Sequence, residues 1–203
     1  MAATSGAATP IYPYKVLIGG TAQAVMLRRL EKATQTFLQG TPVQVEVASG
    51  FIIACAAITS VATALIAGFS GEPGANLTTS GVAKTLTQSG NPVNQPNAVF
   101  IPVGAWPNDG TTGFHEAIDS TIFIGVEGGS TTDADGTIAQ TDLGALFGLT
   151  KDAGNNFWYV DKDKTTAATG GCVVITDLID PVGTLHGRVG FKVLHAAQQL
   201  SGN

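Results

Sequence analysis

Apolar and polar residues alternate most cleanly in residues 41–47. There Val43, Val45 and Val47 fall on one face of an extended chain, and Gln44 and Glu46 on the other. Residues 48–50 read as a turn. Residues 51–58 read as a returning strand with small residues on both faces, and residues 64–70 as a third strand. Small residues on both faces suggest that the middle strand of this meander is packed inside a barrel or sandwich. Strands are also predicted at 15–19, 99–103, 120–126, 157–160, 172–176 and 187–193, with Asp180-Pro181-Val182-Gly183 as the turn before the last. Residues 22–37 mix helical spacing (Val25, Leu27, Leu30) with β-favouring Thr34–Phe37, which leaves their element open. Residues 141–147 predict a short helix with Thr141 or Asp142 at its start. The total is about nine or ten short strands broken by turns, the pattern of a single β-barrel or β-sandwich domain over residues 15–203.

Two stretches depart from that rhythm. Residues 1–14 read as an extended N-terminal arm, because Pro10 and Pro13 break helix while Ile11, Tyr12 and Tyr14 offer points for docking. Residues 71–98 form a long irregular loop in which only 82–87 looks strand-like. Loops of this length are usually functional or ordered by a partner.

Composition reinforces the β reading and narrows the function. Charged residues make up 12% and hydrophobic residues 44% of the chain. A disordered chain shows the reverse balance. Residues 1–108 carry five basic against three acidic side chains, and residues 109–203 five against twelve. The first half is thus mildly positive and the second distinctly acidic. Only Arg28-Arg29-Leu30-Glu31-Lys32 hints at a basic stripe, so nucleic-acid binding is not expected. Residues 47–71 are uncharged and long enough to cross a bilayer. Ser, Thr and Gly interrupt them, however, and no Lys, Arg or aromatic belt flanks them, so no membrane span is expected. The N-terminus lacks the basic start and apolar core of a signal peptide, which predicts a cytosolic product. Cys55 and Cys172 sit in apolar surroundings and read as buried thiols.

No residue pattern predicts catalysis or a cofactor. Asp133-Ala134-Asp135-Gly136-Thr137 resembles the start of a calcium loop, but its twelfth position is Gly144 instead of Glu. Asp161-Lys162-Asp163-Lys164 carries its own countercharges. His115, His186 and His195 have no zinc spacing. His115-Glu116 beside Asp119-Ser120 is an adjacency of a kind that triads rarely use. Trp106 and the Phe157-Trp158-Tyr159 run offer an aromatic platform, a role less common for such residues than filling a core or an interface.

Residues 39–47 (Gln-Gly-Thr-Pro-Val-Gln-Val-Glu-Val), 50–55 (Gly-Phe-Ile-Ile-Ala-Cys) and 67–72 (Ala-Gly-Phe-Ser-Gly-Glu) together resemble head decoration (cement) proteins of tailed bacteriophages. Residues 147–152, 157–161 and 180–193 look like phage virion proteins of the same kind. The resemblance implies a non-enzymatic structural protein, commonly a homotrimer, attached to a shell of major capsid protein. It would be assembled in the host cytoplasm and sit on the capsid exterior of the virion. Pro10, Ile11, Tyr12, Pro13, Tyr14, Pro92, Pro96 and Trp106 are then the expected contact residues. The alternatives from the residues alone are another β-type virion part (tail tube, spike or baseplate component) and a carbohydrate-binding or hydrolytic module using Trp106 and Trp158.

Overall fold

The alternating valines of residues 42–45 do form a strand, and it lies between two others in a sheet. In the computed structural model the described residues are 10–16, 26–56, 58, 65–74, 76, 80, 110–129 and 136–200. They build a mainly β fold with two sheets. The strands are β1 (Tyr12–Val16), β2 (Met26–Leu30), β3 (Pro42–Val45), β4 (Ile52–Ala54), β5 (Gly68–Ser70), β6 (Thr111–Glu116), β7 (Thr121–Gly128), β8 (Leu146–Lys151), β9 (Trp158–Asp161), β10 (Gly171–Leu178) and β11 (Arg188–Val193). The expected strands at 82–87 and 99–103 lie outside the described residues.

Both sheets close on themselves. The first runs β2-β6-β5-β3-β4, and a parallel bridge from Glu31, one residue past β2, to Ile52 of β4 joins its ends. The second runs β7-β11-β10-β8-β9, and β9 returns parallel to the end of β7 through Glu127↔Val160 and Gly128↔Asp161. Counted along the chain, each ring has the strand order first, fifth, fourth, second, third. Closure of this kind removes most of the unpaired edge that an open sheet would expose.

The equivalence extends to single residues. The Glu31 amide donates to the Gly110 carbonyl at 2.9 Å, and the Glu127 amide to the Gly187 carbonyl at 2.9 Å. Val45 pairs with Ile52 as Leu149 pairs with Val160. Val43 faces Gly68 as Phe147 faces Val173, and Ser70 faces Phe114 as Ile175 faces Phe191. Gly110-Thr111-Thr112-Gly113-Phe114 therefore occupies the place of Gly187-Arg188-Val189-Gly190-Phe191. The chain contains one five-stranded unit twice. The copies differ most between their fourth and fifth strands: residues 71–110 make the connection in the first ring and 179–187 in the second.

Packing fuses the rings. Phe37, Val43, Ile52, Ala67 and Phe114 fill the first. The larger cluster joins Cys55, Ile58, Ile66 and Phe69 of the first half to Phe123, Phe147, Val160, Val173 and Phe191 of the second. Phe69 is the hinge of this contact, with its ring centroid 4.5 Å from Phe123 and 5.8 Å from Phe191. Lys164 adds a polar strut, its ammonium donating to the carbonyls of Ile58 (2.7 Å) and Leu149 (3.1 Å).

Three expectations are corrected. The helix at 141–147 is absent. A single 3-10 turn at Gln140–Asp142 gives way to extended backbone at Leu143 and a left-handed Gly144, and Leu146–Lys151 is β8. The Leu143, Leu146, Phe147 spacing imitates a helical face, whereas Phe147 and Leu149 are core residues of a strand. The meander order also fails, since β5 pairs with β3 and β4 is not the middle strand. Val47 is 89% exposed and lies past the end of β3.

Candidate functional site

The expected contact residues of the arm are built into the second ring. Residues 1–9 lie outside the described residues, but Tyr12–Val16 pairs antiparallel with residues 121–124 of β7, on the edge that β9 uses further along. Ile11 is 1% exposed and belongs to the large core, so it is a plug and not a docking point. It sits beside Gly125, where an added β-carbon would come within 3.5 Å of the Ile11 side chain, and its backbone crosses Gly40 of the first ring. Gly40 has φ of +79°, and a β-carbon there would lie 2.4 Å from the Ile11 nitrogen. Pro10 and Pro13 are half-buried, while Tyr12 and Tyr14 face solvent, Tyr14 at 47%. The pairing with β7 slips between Pro13 and Lys15. A proline and a bulge blunt a sheet edge against further strands, so the tyrosines stand as side-chain knobs on a fixed base. Pro92, Pro96 and Trp106 lie outside the described residues.

On the corresponding edge of the first ring, no strand pairs with β2 among the described residues. A cleft of about 310 Å³ opens there between Arg28, Arg29 and Leu30 of β2, Ser49, Gly50 and Phe51 of the β3–β4 turn, and Thr111. Arg28 is tied to Glu72 at 3.0 Å and to the Thr111 hydroxyl at 2.9 Å. Arg29 is exposed. By the internal equivalence it stands where the second ring has Gly125, the residue covered by Ile11.

The equivalent glutamates at the two closures are both fully buried. Glu31 accepts a hydrogen bond from the Thr112 hydroxyl. Valine stands in the place of Thr112 in the second ring, and Glu127 is held differently. Neither oxygen of its carboxyl group makes a hydrogen bond of ordinary length among the described residues, Lys162 and Asp142 being its polar neighbours. The Lys162 ammonium approaches it to 3.6 Å while donating at 2.7 Å to Asp142 and at 2.7 Å to the Thr137 carbonyl. Burial pushes the Glu127 carboxyl up to about 8, aided by the nearby Asp142 and opposed by Lys162. Neither the pairing of these glutamates nor the cleft has a local sequence signal. Only the repeated Leu/Val-Glu and Gly-x-x-Gly-Phe segments could have pointed to them.

Other candidates are dispersed. His115 lies on β6, facing Met26 and Phe69 across the sheet, whereas Asp119 meets Gln198 (2.8 Å) and His195 (3.5 Å). His186 is buried, its Nδ1 3.2 Å from the Glu127 carbonyl. Asp161 accepts from the Thr150 hydroxyl and the Asp163 amide, as an acidic turn does. Asp133 and Asp135 lie outside the described residues, and no group of three metal-ligating side chains occurs among those that are described. Trp158 is 4% exposed and belongs to the large core, the commoner of the two roles expected for it. Cys55 and Cys172 are free and buried in one cluster, and burial raises both thiols well above their usual range. No helix among the described residues is long and apolar enough to cross a membrane. Within residues 51–70 the described residues include the strands β4 (Ile52–Ala54) and β5 (Gly68–Ser70). No protein-family model matches this chain, and comparison with curated proteins and with solved structures finds no match either.

Proposed function

We propose that this chain is a structural virion protein that decorates the head of a tailed bacteriophage by binding its shell of major capsid protein. The observation that carries this reading is a set of large apolar side chains held in water by rigid turns. Val47 follows β3, Leu143 follows the 3-10 turn, and Val182 and Leu185 lie three residues apart on the β10–β11 hairpin. That hairpin is pinned by the amide of Gly183 donating to the Ile138 carbonyl at 2.8 Å and the amide of Ile138 donating to the Thr184 carbonyl at 3.0 Å. Apolar groups fixed this way gain from burial against a partner with little ordering cost. Multivalent display over a shell strengthens modest individual contacts. The sequence resemblance supports the same reading.

The test is co-sedimentation of the purified protein with capsids lacking it, together with capsid thermal stability. Wild-type protein is expected to bind and to raise the capsid melting temperature. Val182→Asp with Leu185→Asp is expected to lower occupancy at least tenfold while leaving the protein folded. Wild-type protein that neither binds nor stabilises the capsid would overturn the function. Full occupancy by the double variant would remove the hairpin from the contact.

A further inference from the structure

We infer that the cleft beside β2 receives the Tyr12–Tyr14 knobs of a second copy of this chain. The first support is the internal equivalence. At the matching place in the second ring, the segment around Ile11 and β1 covers the edge ahead of Glu127 and fills the space beside Gly125. In the first ring the same place holds Arg29 and open volume. In the second ring buried Ile11 and the paired backbone of β1 fill that place, while Tyr12 and Tyr14 stay in solvent. In the first ring nothing among the described residues plays that part, which leaves room for the exposed rings of another copy.

The second support is where the exposed apolar groups lie. Tyr12, Tyr14, Met26 and Leu30 are four of the nine large apolar side chains exposed among the described residues, and all four sit on β1 or β2. The two strands do not pair with each other. Each therefore leaves an apolar edge in water, and contact between copies covers both. The third support is chemical fit. The cleft is walled by Leu30 and Phe51 with two guanidinium groups at its rim, a setting in which a phenol ring packs on apolar surface and stacks against arginine. The blunting of β1 by Pro13 and the bulge makes side-chain insertion the favoured mode over sheet extension. Because knob and cleft are different surfaces, the contact either is reciprocated across a two-fold axis or runs head-to-tail and closes into a ring where the rotation allows. It stands apart from the capsid reading, since it requires no shell.

The experiment uses the full chain and measures mass by light scattering across a concentration series. Wild-type protein is expected to self-associate. Tyr14→Ser and Arg29→Glu are each expected to weaken association at least tenfold with an unchanged circular dichroism spectrum. An equimolar mixture of the two variants is expected to regain one contact and form a heterodimer, since each supplies the surface that the other lacks. In a second arm, Tyr14→Cys and Arg29→Cys proteins mixed under oxidation should cross-link to each other faster than either does alone, the native cysteines being buried. A monomeric wild type, undiminished association of both variants, or cross-linking no faster in the mixture would each overturn the proposal. Capsid binding by a monomeric wild type would overturn it while sparing the proposed function.

Discussion

Replacing Glu127 by glutamine tests the reading of the second ring's closure. The folded carboxyl is raised from 4.5 to about 8, with burial as the chief cause. Its folded state therefore holds a proton that the unfolded state has already released, across the window between those values. Stability is fully present below pH 4.5 and falls as the pH rises through about 8. At about 1.4 kcal/mol per pH unit, the whole window amounts to on the order of 5 kcal/mol. That is a large part of what holds a typical domain folded. The groups facing the carboxylate are Lys162 at 3.6 Å and, beyond it, Asp142, with the His186 ring against the Glu127 carbonyl. Glutamine keeps the shape and removes the titration. Urea unfolding at pH 5, 6.5, 8 and 9 is the assay. The wild type should lose midpoint concentration steadily from pH 5 to 8, while Glu127→Gln stays nearly flat and is the more stable protein at pH 8 and above. Equal slopes in the two proteins, or a wild type that gains stability towards pH 8, would refute the reasoning.

Other consequences are open to the same measurement. Thr112→Val installs the second ring's residue in the first and removes the hydroxyl that donates to buried Glu31, so it should cost about 1–3 kcal/mol in urea unfolding. Phe69→Ala empties the junction between the rings and should cost about 3–5 kcal/mol, with unfolding that no longer coincides between probes of the two rings. Gly148→Ala places a β-carbon 2.5 Å from the Lys164 stem, so the strut to Ile58 must shift. The expected loss is about 1–3 kcal/mol, and Lys164→Met introduced with it should add little, because the strut is already lost.

Strands buried on both faces announced themselves well. β7, β10 and β11 were legible because runs such as Ile122–Ile124 and Val173–Ile175 have no helical alternative between their glycine turns. β8 was misread for a local reason. Leu143, Leu146 and Phe147 share a helical face, and only the left-handed Gly144 together with partners on both sides decides for a strand. β2 carries Arg28 and Arg29 in mid-strand, which obscures its alternation. β6 begins Thr-Thr-Gly directly after Gly110, which reads as a turn. The duplication was present in the letters as Gly110–Phe114 and Gly187–Phe191, but few residues carry it, and the long 71–110 connection breaks its spacing. The buried state of Ile11 was invisible because its neighbours Gly40 and Gly125 are distant in sequence. The same holds for the cleft, which exists only where β2 diverges from the 49–51 turn.

The seat of β1 also has a consequence for how the chain is made. Tyr12–Val16 leaves the ribosome before its partner Thr121–Gly128, which follows more than a hundred residues later. At about 5–20 residues per second, that is a wait on the order of 5–20 s. Every strand of the first ring is synthesised within that interval. The nascent segment must then stay unclaimed beside a ring that carries the cleft next to β2. Premature lodging there would tie up the segment that later plugs the second ring. The bulge and proline of β1 oppose its capture as an added strand until β7 arrives.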